Sequence, residues 1–195
     1  MLQPPKIVLA SSSPYRKTLL ERLNLAFATI RPDIDEHPLA GETAEDLVLR
    51  LAVVKAGHIA RDQPNALIIG CDQVAVLGTA LLGKPGNRAN ARKQLQLMRD
   101  QTVNFITGLC VLNSSTHNCQ TAAVYYQVIF RDYNDTEIER YLDIDTPFDC
   151  AGSFKSEQLG VTLMRRMQGD DPTALIGLPL IKLSEMLRNE QVNLP

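Results

Sequence analysis

"KIVLASSSPYRKTLLERL", residues 6–23, joins an apolar run to three serines, a proline, two basic side chains and an amphipathic tail. The five residues "KIVLA" (6–10) have the length and apolar continuity of a short buried strand. Pro14 suits the first turn of a helix, where its missing N–H costs nothing, and Leu19, Leu20 and Leu23 follow at helical spacing. Strand, serine turn and helix in that order point to an α/β fold.

The rest of the chain extends that pattern. Residues 43–61, "TAEDLVLRLAVVKAGHIAR", predict a long helix with Thr43 as N-cap and Asp46 three positions on. "ALIIGCDQVAVL" (66–77) reads as a buried strand broken at its centre by Gly70 and Asp72. "GKPGN" (83–87) is a turn, and 88–98 a helix. Strands at 103–113 and 121–131 are joined as a hairpin through "NSSTHN". Helices at 135–143 and 180–189 bracket a mixed, glycine-rich stretch. Early strands alternate with helices and later ones pair as a hairpin, so the expected fold is α/β with a mixed sheet, in a single domain over 1–195.

Composition bounds the function. The chain is 45% hydrophobic and 22% charged, with a net charge of −2, which gives no electrostatic reason for a nucleic-acid or membrane partner. No apolar run approaches the roughly 20 residues of a membrane span. "MLQPPKIVLASSS" lacks the pattern of a signal peptide, so a cytoplasmic address is expected. The cysteines (71, 110, 119, 150) form no CxxC pair, and His37, His58 and His117 are scattered without HExxH, so no protein-only zinc site is expected. Three of the cysteines lie in or beside apolar runs and read as small core residues.

Four groups of residues could carry chemistry. Ser11, Ser12, Ser13, Arg16 and Lys17 sit at a strand-to-helix junction, where free N–H groups, hydroxyls and a guanidinium suit an anion such as phosphate. A serine N-cap with two solvated basic side chains fits the same residues equally well, and the GK[ST] of a P-loop is absent. Asp72 is a lone carboxylate expected at or near the end of a buried strand, where charge is expensive unless paired or metal-bound; a turn aspartate at a strand edge is the other reading, and the "VAVL" that follows at once argues against it. Asp33, Asp35 and Glu36 could hold Mg²⁺, with Lys55 and Lys84 neutralising phosphate, although each singly fits a solvated surface. In "AGSFKSEQLG" (151–160), Lys155 and Glu157 alternate with small residues, as a base-reading loop or a solvated ion pair would.

Taken in order, "LASSSPYRKTLL", "DIDE", "LAVVKA", "IIGCDQVAV", "GKP", "AGSFKSE" and "GLPL" resemble the Maf-like nucleotide pyrophosphatases across almost the whole chain. The resemblance implies an elongated mixed β-sheet flanked by helices, similar to the inosine triphosphate pyrophosphatases, with a nucleotide in a central cleft. It further implies a cytoplasmic, divalent-metal-dependent (Mg²⁺ or Mn²⁺) enzyme, often a homodimer, that cuts a nucleoside triphosphate to monophosphate and pyrophosphate. Asp72-Gln73 and "SFKSE" resemble the 7-methylguanosine triphosphate subgroup. On that resemblance Asp72 is the proton acceptor, and Tyr15, Gln73 and Glu157 set base choice.

The chemistry agrees. Tyr15 could stack on a cationic base, Glu157 could accept from guanine N1–H and its amine, and Gln73 could read the O6 edge or orient Glu157. Ser11, Ser13, Arg16, Lys55, Lys84 and Lys155 form the expected phosphate set, and Glu36 with Asp72 the metal pair. Tyr15 stands where the subgroup often has Trp, the stronger cation–π partner, and Arg16-Lys17 replaces two arginines. The competing readings are a nucleotide-binding regulator of septum formation without turnover, and a dTTP or UTP pyrophosphatase.

Overall fold

The computed structural model describes residues 5–195. β1 (Lys6–Ala10), α1 (Pro14–Glu21) and β2 (Phe27–Ile30) form a parallel βαβ unit, and α2 (Ala44–Ala60) leads into β3 (Ala66–Leu77), parallel to β1 on its other side. There follow β4 (Ala80–Leu82), α3 (Arg88–Met98), β5 (Thr102–Asn113), β6 (Cys119–Phe130), α4 (Asp135–Asp145), β7 (Met164–Gln168), α5 (Pro172–Ile176) and α6 (Leu180–Asn189). The sheet order is β2-β1-β3-β5-β6-β7, with β4 against β3, and every pairing beyond β3 is antiparallel. This is the expected mixed-sheet α/β fold. Three strands of 12 residues each make the sheet elongated, since such a strand is about 40 Å long.

"KIVLA" is apolar throughout because both its faces are covered. Ile7 and Leu9 pack with Leu67, Ile69 and Cys71 under α1 and α6, whereas Val8 and Ala10 pack with Ala66 and Ile68 under α2. A further core lies at the far end of the sheet, where Phe105, Phe130 and Phe154 meet α3 and α4.

α2 begins where Thr43 Oγ1 accepts from Asp46 N at 3.1 Å, and Glu45 and Asp46 place negative charge on its first turn. It then lies directly on the sheet backbone. A Cβ at Gly70 would stand 2.0 Å from the Ala52 carbonyl oxygen, and one at Gly108 2.2 Å from that of Val48. These two glycines permit the close approach, and no larger residue would.

β2, β4, β7 and α5 go beyond the elements expected from sequence. All four have five residues or fewer, and β7, "MRRMQ", is mostly exposed at the sheet edge, so apolar periodicity had little to mark them. Cys71 and Cys110 are buried, but Cys119 is exposed and Cys150 half-buried. Two cysteines therefore serve the core, not three: Cys119 opens β6 at its exposed end. No helix among the described residues is long and apolar enough to cross a membrane.

Candidate active site

β1 stops at Ala10, opposite Gly70, while β3 continues to Leu77. Past that point the β3 edge loses its parallel neighbour, and the chain turns through Ser11–Ser13 into α1. A cleft of about 430 Å³ opens there, walled by the serine turn, the loop after β2, Lys55, Lys84, Glu157 and the Leu175–Gly177 turn. It lies beyond the carboxyl ends of the parallel strands, where open α/β sheets bind their ligands.

Asp72 is not at the end of its strand. It lies inside β3, two residues past the last pairing with β1, because β3 runs on against β5 after β1 has ended. Strand alternation puts Asp72 on the α2 face with Ala66, Ile68 and Gly70, and Gln73 on the opposite face. Lys55 occupies the buried stripe of α2 with Leu51, Ala52, Ala56 and Ile59, and is only 4% exposed. Its ammonium lies 2.6 Å from Asp72 Oδ1 and 2.9 Å from Glu36 Oε1. A buried cation thus meets two carboxylates, which is how a buried charge is tolerated. The Asp72 side chain is 14% exposed, against 6% for that of Lys55.

Partial burial pushes the Glu36 carboxyl up, but the Lys55 hydrogen bond and charge, with Lys84 and Arg16, hold it below the usual range. Its loop is pinned to α2 by Arg50, which donates to both Glu42 carboxylate oxygens (2.6 and 2.8 Å) and to the His37 carbonyl at 3.1 Å.

The serine turn is both cap and wall. Ser13 Oγ accepts from Arg16 N at 3.4 Å and Ser11 Oγ from Ser13 N at 3.1 Å, while both residues line the cleft. Arg16 Nε donates to the Gly177 carbonyl at 2.9 Å and Nη1 to that of Cys71 at 2.7 Å. The guanidinium thereby caps the bare β3 edge and keeps its other N–H groups for a guest. Lys17 is exposed and pairs with Glu21 outside the cleft.

The predicted base readers divide. Tyr15, Gln73 and Glu157 all line the cleft. The Gln73 amide nitrogen donates to the Ala174 carbonyl (2.7 Å), the Leu175 carbonyl (3.2 Å) and Thr107 Oγ1 (3.1 Å). Its free group is therefore the amide oxygen, an acceptor, which offers nothing to guanine O6. Among the described residues no hydrogen bond joins Gln73 to Glu157. Burial, then the Cys150 thiol and the Asp149 carboxylate, push the Tyr15 hydroxyl well above its ordinary pKa, so the ring is neutral at physiological pH. Lys155 is the one member of the expected phosphate set that is not brought to the cleft wall. Its ammonium donates to the Asp145 carbonyl at 2.7 Å and lies 5.6 Å from the Tyr15 ring centroid.

Sequence reasoning missed Arg31, which follows the four-residue β2 and lines the cleft, because that strand was not recognised. Asp149 and Cys150 were missed with the irregular segment that holds them. Lys55 did carry a signal, namely its place on the apolar stripe of an amphipathic helix.

The sequence profile of the family described as Maf-like protein matches residues 6–190. The chain belongs to the Maf family. Relatives named 7-methyl-GTP pyrophosphatase are similar over nearly full length. The one from Pseudomonas syringae pv. tomato is 55% identical over 98% of this chain and 100% of its own. That from Methylobacillus flagellatus is 53% identical over 97% and 98%, and that from Pseudomonas aeruginosa 50% over 98% and 100%. In this Maf chain Arg16, Arg31, Lys55 and Lys84 bring four cations to one cleft, although the net charge is −2.

Proposed function

We propose that this chain hydrolyses the α–β phosphoanhydride bond of a nucleoside triphosphate, with 7-methyl-GTP as substrate. Supporting this most directly is the Lys55 ammonium shared by Asp72 and Glu36 at the wall of a cleft carrying further cations. The near full-length similarity to relatives named for that activity supports the substrate.

In this reading Arg16, Arg31, Lys84 and the Ser11–Ser13 turn hold the triphosphate and offset charge as it builds on the leaving group. Asp72 accepts the proton of a water that attacks the α-phosphorus. The bond from that phosphorus to the bridging oxygen breaks, and pyrophosphate departs with the bridging oxygen. Lys55 fixes the Asp72 carboxylate and keeps it close to Glu36. Among the described residues no group of three or more His, Cys, Asp or Glu could hold a metal ion. Glu36 and Asp72 already share one cation, and a carboxylate pair with phosphate oxygens and water is a donor set that suits Mg²⁺ or Mn²⁺. Such an ion, when bound there, supplies Lewis-acid neutralisation of phosphate oxygens.

Tyr15 offers the base a neutral aromatic face, and Glu157 offers acceptors for the guanine N1–H and amine. The test is pyrophosphate release across 7-methyl-GTP, GTP, dTTP and UTP with Mg²⁺ or Mn²⁺. The methylated nucleotide should show the highest kcat/KM. Faster turnover of dTTP or UTP would overturn the substrate, and binding without turnover of any of the four would make the protein a nucleotide-binding regulator.

A further inference from the structure

We propose that Lys155 sets how strongly the cleft prefers a cationic base, by holding its ammonium against the ring of Tyr15. This rests on Tyr15 being the base platform, as in the proposed function.

Lys155 is 8% exposed, and among the described residues no carboxylate forms an ion pair with it. Its ammonium is anchored on the Asp145 carbonyl, and its backbone N–H donates to the Tyr141 hydroxyl at 2.9 Å. The following turn is closed tightly enough that a Cβ on Gly160 would stand 2.2 Å from the Lys155 carbonyl oxygen. The ammonium is therefore held in place, 5.6 Å from the ring centroid, within the range of a cation–π contact. Tyr15 lines the cleft, so a base stacked on its ring comes within reach of the lysine's charge.

A base stacked on the cleft side shares that ring with the ammonium. A cationic base is then repelled by a fixed like charge in a largely buried setting, where screening is weak, whereas a neutral base of equal shape is not. Asp149, whose Oδ1 is 3.5 Å from the Tyr15 hydroxyl, and Glu157 on the cleft wall act in the opposite sense. Lys155 supplies the repulsive element in that balance. It is a positioning residue acting through Tyr15, with no contact to the phosphates.

The measurement compares two substrates alike in shape that differ in base charge, 7-methyl-GTP and 7-deaza-7-methyl-GTP. Both are assayed at a pH low enough to keep N1–H protonated. Lys155→Gln, which keeps a donor for the Asp145 carbonyl, should raise the cationic-to-neutral ratio of kcat/KM on the order of three- to tenfold. The change should lie in KM for the cationic substrate, and Lys155→Arg should restore the wild-type ratio. In a Tyr15→Leu background the same Lys155 substitution should shift the ratio less. Should the glutamine variant not fold, Lys155→Met gives the same reading. An unchanged ratio, with both substrates slowed alike, would overturn the proposal and make Lys155 a structural or phosphate-binding group, while leaving the proposed function intact. Failure of the wild-type protein to cleave either nucleotide would overturn both.

Discussion

Asp72 and Gln73 are adjacent in sequence, yet they face opposite sides of the sheet. The motif drew attention to both, but alternation along β3 gives them different partners. Asp72 meets Lys55 under α2, and Gln73 ties the Ala174 and Leu175 carbonyls to the strand. Residue types were legible in the sequence, and so was Asp72 as a buried charge needing a partner. That the partner is Lys55 follows only from the packing of α2 on Gly70. Glu36 carries a pH prediction. Folding lowers its carboxyl pKa, so its contribution to stability is complete above the ordinary carboxylate range and is lost as pH falls through the lower folded value. Glu36 is half exposed, so the effect is small. Glu36→Gln should lower Tm by about 1–2 °C near neutral pH and converge on wild type in acid, as read by thermal melts from neutral pH to about pH 3.

At the scale of elements, α2 is the device that assembles the site. Its N-terminus is set by Thr43 and its apolar stripe selects its buried face; the bare backbone at Gly70 and Gly108 then fixes how near it comes. Lys55 rides on that stripe and arrives at Asp72 because the helix lies so close. Gly70→Ala would place a methyl group against the Ala52 carbonyl, backbone that cannot swing aside. The variant should lose about 3 kcal/mol or more, which for a chain of this size lowers Tm by roughly 10 °C. Pyrophosphate release by its folded fraction should also fall several-fold, because Lys55 moves away from Asp72. A variant with wild-type Tm and rate would contradict the role given to the close approach. The long helices and strands were legible, α3 and α6 to the residue, because apolar periodicity marks them. Short β2 was not, and with it went Arg31, whose position in the wall of the cleft depends on that strand.

Across the whole molecule, the cleft exists because β1 is five residues long and β3 twelve. The uncovered stretch of β3 brings together groups from both faces of one sheet: Asp72, Lys55 and Glu36 from the α2 side, Arg16, Gln73 and the Gly177 turn from the other. The sequence showed the long segments and their order, but the relative lengths of paired strands emerge only from their register. Four cleft cations on a chain of net negative charge concentrate attraction for a polyanion where the carboxylates stand. The most direct measurement is pyrophosphate release from 7-methyl-GTP by wild type and Asp72→Asn, at saturating Mg²⁺ or Mn²⁺, with nucleotide binding followed in parallel. The expected result is at least a roughly hundredfold loss of kcat with binding retained, as removal of a general base produces. Turnover by Asp72→Asn near the wild-type rate would contradict the account.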